Sequence, residues 1–231
     1  MTIAMRVQAV LQRLRAAEKE ANRSEGAVSL LAVSKGQTVG AIREAFAAGL
    51  SAFGENRCQE ALVKMQALQD LPITWHFIGP LQSNKLKRIA QSFDWVHSVA
   101  SLEAAEKLAD NRPTALPPLN ICLQINLDAE AQKAGISPSE AHALAEAVSK
   151  PAGLCLRGLM CIPTANTSPE RQYAAFKRLA DLMESLNRDT SLALDTLSMG
   201  MSADMVLAVI AGSTIVRIGR ALFGEEEIPA S

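Results

Sequence analysis

Ser29-Leu30-Leu31-Ala32-Val33-Ser34-Lys35, SLLAVSK, is an apolar run that stops at a lysine. A strand buried on both faces reads as such a continuous run and not as an alternation, and that is the mark of a parallel sheet. The carboxyl ends of the strands in a parallel barrel form its functional rim, so an amine at Lys35 stands where a ligand would be met. Most lysines after an apolar run turn into solvent. Reading this one otherwise needs support from the segments around it.

Upstream, Ile3, Val7, Val10, Leu11, Leu14 and Ala17 recur at steps of three and four, which predicts a helix over residues 2–23 ahead of the first strand. Downstream, Thr38 can cap a helix over 39–46 that closes near Gly49. The same unit then repeats: strand 52–56 with helix 59–65, strand 74–80 with helix 84–90, and strand 95–99 with helix 101–109. Pro113 and Pro117-Pro118 make a short loop after which the alternation resumes, so no domain boundary falls there.

Strand 119–126 leads through a polar loop with Gly135 to a helix opened by Ser137-Pro138-Ser139-Glu140. Strand 156–162 precedes a helix opened by Ser168-Pro169-Glu170, with Tyr173, Phe176, Leu179, Leu182, Met183 and Leu186 on its core side. Strand 196–200, helix 203–211 and strand 214–219 complete the series, and the tail EEEIPAS reads as frayed. The expected fold class is α/β: a single-domain (β/α)8 TIM barrel over 1–231 with an extra N-terminal helix, preferred over a doubly wound sheet.

With 48% hydrophobic and 20% charged residues the chain has the balance of a globular protein and not of a disordered or fibrous one. A net charge of −1 calls for neither a nucleic acid nor an anionic membrane as partner. Lys85, Lys87 and Arg88 lack interleaved aromatics and read as a solvated helix face. No run has the length of a membrane span or the form of a signal peptide, so the expected location is cytoplasmic. Cys58, Cys122, Cys155 and Cys161 include no C-x-x-C pair, and His76, His97 and His142 are dispersed, so no metal is expected.

The strand ends list the rim: Lys35, Asn56, residues 76–79, Met160, residues 198–202 and residues 217–219. Backbone N–H groups at Gly200, Ser202 and the following helix start suit a phosphate, and Gly219 can add another; plain turns would use the same residues. Arg217, inside the apolar run TIVRIG, needs an acceptor, either a helix carboxylate or a ligand. An amine, anion-ready turns and a fixed cation together suit a phosphorylated carbonyl compound.

LLAVSK, FGENRCQE, WHFIGPLQSNK, HSV, INLDAEAQKAG, GLMCIP, LSMGMSAD and VRIGRALFG, in this order, resemble the pyridoxal phosphate homeostasis protein family along nearly the whole chain. The resemblance implies a barrel similar to the N-terminal domain of alanine racemase, with pyridoxal 5′-phosphate (PLP) held as a Schiff base on Lys35. It further implies that Arg217 faces the pyridine nitrogen, that the turn from Ser198 through Gly200 to Ser202 holds the phosphate with Gly219, and that Asn56 and Met160 line the cofactor. Cys58 and Cys161 stand where other small or aliphatic residues are common in the family.

An arginine keeps its proton, so the ring nitrogen would stay unprotonated and the cofactor would be a weak electron sink. Family members are similar to carriers or regulators of PLP without established turnover, with PLP-dependent apoenzymes as possible recipients, and a monomer is expected with a dimer left open. The opposing class is a small amino-acid racemase. Alanine racemase uses a tyrosine from a second domain, whereas this chain stops after its eighth strand and holds one tyrosine, Tyr173, in a helix. His76, the only histidine on the expected rim, reads as packing rather than as a second base.

Overall fold

Thr2 opens α1 (Ile3–Glu20): its hydroxyl accepts the Met5 N–H, and Val7, Val10, Leu14 and Ala17 follow on the buried side. Near its end, Glu18 is fully buried and accepts the N–H groups of Gly26 and Val28 at 3.1 and 2.7 Å. That carboxylate ties the helix to the start of β1 (Ser29–Val33). The computed structural model describes residues 1–128, 134–164 and 167–224.

From β1 the chain alternates α2 (Val39–Ala47), β2 (Ala52–Glu55), α3 (Cys58–Ala67), β3 (Thr74–Phe77), α4 (Leu86–Ser92), β4 (Trp95–Val99), α5 (Leu102–Asp110) and β5 (Leu119–Gln124). A 3-10 turn (Pro138–Glu140) with a capping box then leads into α6 (Ala141–Val148), β6 (Leu154–Met160), α7 (Pro169–Asp189), β7 (Thr196–Ser198), α8 (Met205–Ile210), β8 (Ile215–Ile218) and α9 (Arg220–Phe223). Eight parallel strands pair in sequence order, and β8 pairs with β1 through Leu31↔Arg217 and Ala32↔Ile218 to close the barrel. The fold is a single (β/α)8 TIM barrel with an N-terminal helix. Because every ladder is parallel, all strand carboxyl ends meet at one rim, and Lys35, Asn56, Met160, Gly200 and Gly219 come together there from distant parts of the sequence.

Some boundaries move. The sixth strand runs two residues earlier than its apolar run suggests, because Leu154 and Cys155 pair with Leu119 and Asn120 of β5. Tyr173 stands 37% exposed instead of facing the core, and the buried side of α7 is Ala175, Phe176, Leu179 and Leu186. Helix α8 begins at Met205 and not at residue 203, since Asp204 closes a turn back onto the Met201 carbonyl first. Residues 129–133 of the INLDAEAQKAG segment and the tail EEEIPAS lie outside the described residues. Among the described residues no helix is long and apolar enough to cross a membrane, and no three metal-ligating side chains cluster.

Candidate functional site

Lys35 lies just beyond its strand. β1 ends at Val33, the Ser34 N–H still bonds the Gly54 carbonyl at 3.0 Å, and the Gln37 N–H then closes a four-residue turn on the Ser34 carbonyl at 3.0 Å. Gly36 occupies the third position of that turn with φ +67°, the left-handed conformation that a type II turn requires there and that glycine adopts without steric cost. Lys35, the second residue of the turn, is half-buried at the rim between the ends of β2 and β8.

Arg217 is buried at 5% exposure one strand away. Its guanidinium donates to the Ser198 carbonyl at 2.6 Å, to the Ser198 hydroxyl at 2.9 Å and to the Cys161 carbonyl at 2.9 Å. All of these acceptors are neutral, so the ion pair with a helix carboxylate, one of the two readings open from sequence, is not what holds it among the described residues. Burial lowers its pKa. Asp204 favours its charge through space but makes no salt bridge with it among the described residues, and a buried cation hydrogen-bonded to neutral oxygens suits a ligand bearing a lone pair or a negative charge. The unusual Cys161 takes part through its carbonyl, so its side chain leaves this contact unchanged.

Behind Arg217 a polar line crosses the barrel interior. The Ser198 hydroxyl is 2.7 Å from His97 Nδ1, and His97 Nε2 is 2.8 Å from His76 Nδ1, with His76 stacked on Trp95 at 5.3 Å between centroids. Arg217 can only donate, and the Ser198 hydrogen finds an acceptor only if it points at His97 Nδ1. His97 then carries its proton on Nε2 and donates it to His76. His76 is therefore an interior residue and not a rim group, because its place in the middle of β3 turns it toward β4.

Burial lowers the His76 pKa to about 3 and holds that of His97 well below its ordinary value, so both rings are neutral in the fold. An unfolded chain protonates these histidines below pH ~6.5 while the native protein does not, so stability is complete above that pH and drains away as pH falls toward the folded values. Denaturant unfolding at about pH 7.5 and about pH 5 should show a loss of up to ~1.4 kcal/mol per pH unit for each histidine. His76→Phe should show a shallower dependence, and equal slopes for the two proteins would contradict this account of the pair.

The remaining expected residues divide. Met160, the last residue of β6, is buried beside Gln124 and Ser198. Asn56 is half-buried, and its Oδ1 is enclosed without a hydrogen-bond partner. Gly200 has φ +94°, and a Cβ there would lie 2.5 Å from Ala208 Cβ, so the turn needs glycine for its own packing. Ser202 and Gly219 are half-buried at the rim. The intervening Met201 N–H is taken by the Asp204 carboxylate. Ser198 lies deeper, fully buried, with its hydroxyl engaged by Arg217 and His97.

Across the rim, beyond β3 and β5, a cavity of about 240 Å³ is lined by Gly79, Gln124, Asn126, Asp128 and Ile162 among others, with no basic residue in its described wall. Sequence reasoning missed His97, although a histidine inside the apolar run WVHSV was a visible signal. It also missed Glu55, Glu60 and Lys64, of which only the i,i+4 spacing of Glu60 and Lys64 could be read locally.

The chain matches the family described as "Alanine racemase, N-terminal domain" over residues 6–227. It is 52% identical over 229 residues to the pyridoxal phosphate homeostasis protein of Pseudomonas aeruginosa, covering 99% of this chain and 98% of that protein. The protein of the same name from Escherichia coli is 44% identical over 228 residues, 97% of each chain. Among solved structures, PipY of Synechococcus elongatus with PLP bound is similar at a TM-score of 0.85 and 38% identity, covering 96% of this chain and all of that one.

Proposed function

Because this chain belongs to the family of pyridoxal phosphate homeostasis proteins, a branch of the alanine racemase N-terminal domain fold, we propose that it binds PLP and keeps the cofactor in reserve in the cytoplasm for PLP-dependent apoenzymes. The observation that carries this reading is Arg217, a buried cation beside the Lys35 turn whose hydrogen bonds, among the described residues, all go to neutral oxygens. The enclosed Oδ1 of Asn56 supports it as a second polar atom suited to a ligand. The donor set fits the cofactor: an amine for its carbonyl, a cation for its ring nitrogen and glycine-containing turns for its phosphate. When bound, PLP supplies an aldehyde that condenses with amines and a ring that can accept electrons.

In this reading Lys35 holds the cofactor as a Schiff base, and Gly200, Ser202 and Gly219 hold the phosphate. Asn56 and Met160 line the ring. Ser198, expected from sequence in the phosphate turn, is better suited to holding Arg217, given where its hydroxyl points. Arg217, which keeps its own proton, would face the ring nitrogen and leave it unprotonated, which would disfavour carbanion chemistry. One chain carries the whole site, so a monomer suffices.

Among the described residues, neither His76 nor Tyr173 is placed as the second base that the racemase alternative needs. His76 is interior, its Nδ1 is engaged by His97, and its low pKa makes it a poor proton acceptor. Tyr173 is exposed on α7, outside the barrel wall. The test incubates PLP-loaded protein with a panel of L- and D-amino acids while following chirality and carbon dioxide, and separately with a PLP-dependent apoenzyme. The expected result is recovery of apoenzyme activity without sustained amino-acid turnover. Turnover at about 1 s⁻¹ or faster, in the ordinary enzyme range, that vanishes in Lys35→Ala would establish an enzyme instead.

A further inference from the structure

The turn that presents Lys35 is gripped on both sides by a buried charge cluster to which no part of the cofactor site has been assigned. Lys64, on the inner face of α3, has a side chain only 6% exposed. Its ammonium donates to the Ser34 carbonyl at 2.7 Å, to Glu55 Oε1 at 2.8 Å and to Glu60 Oε1 at 2.6 Å. Those contacts use all of its N–H donors. Glu60 Oε1 also accepts the Gly36 N–H at 2.7 Å, and Glu55 Oε1 also accepts the Ser34 hydroxyl at 2.6 Å. The residue before Lys35 is thus tied through its carbonyl and hydroxyl, and the residue after it through its amide.

A buried ion cluster is a weak source of stability, because desolvation consumes most of the Coulombic gain. Here the cost is visible: Glu55 is fully buried, its second oxygen has no partner, and burial raises its pKa even with Lys64 against it. The turn itself is already closed by Gln37 and Gly36. What the cluster adds is rigidity on both sides of one residue.

We propose that Lys64, acting with Glu55 and Glu60, is a positioning residue for Lys35: it fixes the backbone from Ser34 to Gly36 so that the Lys35 amine leaves the turn in one direction, toward the rim. The inference rests on the reading of Lys35 as the residue that bonds PLP. It extends the functional set to Lys64 and to the two carboxylates of the FGENRCQE segment, which otherwise have no role in the site.

The test is a set of PLP titrations of the full chain in two backgrounds, with folding followed by circular dichroism. Lys64→Met should weaken PLP binding about tenfold, less than the ~100-fold that a 1 Å misplacement can cost a positioned reaction, and should lower the fraction of protein labelled on borohydride reduction. In the Lys35→Ala background the same change should leave the residual noncovalent affinity unaltered. Lys64→Arg should restore part of the labelled fraction. Glu60→Ala, at a helix position whose side chain is 29% exposed, should reproduce the loss by freeing the Gly36 amide, so the proposal remains testable if Lys64→Met does not fold. Equal weakening in both backgrounds would mean a merely structural role, and unchanged labelling in Glu60→Ala or in folded Lys64→Met would overturn the proposal. If Lys35→Ala itself labels like wild type, the Lys35 assignment fails, an outcome distinct from these.

Discussion

Lys35→Ala, saturated with PLP, should show none of the visible colour of the wild-type complex and should carry no pyridoxyl group after borohydride reduction. The effect is expected to be complete because an imine needs an amine at the rim. Lys64, which grips the same turn, cannot serve, since it is buried with every N–H donor engaged by Ser34, Glu55 and Glu60. Arg217 and the turns after β7 and β8 are untouched by the change, so the variant should still bind PLP weakly and reversibly. Full colour in the variant would mean that another lysine does the work. Loss of the noncovalent binding as well would mean that the turn collapses without its lysine.

Pyridoxal should bind about two orders of magnitude more weakly than PLP. Charge-assisted hydrogen bonds contribute roughly 1.5–3 kcal/mol each, and a cradle at Gly200, Ser202 and Gly219 loses at least two of them without the phosphate. The Met201 N–H cannot compensate, because the Asp204 carboxylate already accepts it. A titration of the two compounds against the same apo-protein reads the difference directly. Equal affinities would remove the phosphate cradle from the account and leave the imine as the sole source of binding.

The barrel was legible because parallel strands are buried on both faces: SLLAVSK and WVHSV are largely apolar runs, each followed by a helix with a side-chain cap, Thr38 or Ser101. The fourth strand matches its run from Trp95 to Val99. The sixth does not, because its first residues, Leu154 and Cys155, are set by register with Leu119 and Asn120. Lys35, Arg217 and the rim glycines could be read as a set because closure of the barrel brings strand ends together whatever their sequence separation.

What could not be read are partnerships that depend on which way a side chain turns. His97 and Ser198 are 101 residues apart and meet only because both point inward at one level of the barrel. That meeting engages the Ser198 hydroxyl with Arg217 and His97, contacts that the resemblance, which implied a place for Ser198 in the phosphate turn, did not disclose. Glu55 and Lys64 are nine positions apart and come from a strand and a helix whose facing sides no single periodicity predicts. Tyr173 fitted the apolar stripe of its helix by spacing but lies in the first turns of α7, where the core no longer covers it.

The most direct test of the central claim, that this barrel bonds PLP through the lysine after its first strand, is a peptide map. Wild-type protein is loaded with PLP, reduced with borohydride and digested, and the pyridoxyl mass is assigned to a residue. The account predicts one stoichiometric label on Lys35. A reproducible label on any other lysine, with Lys35 unmodified, would contradict it.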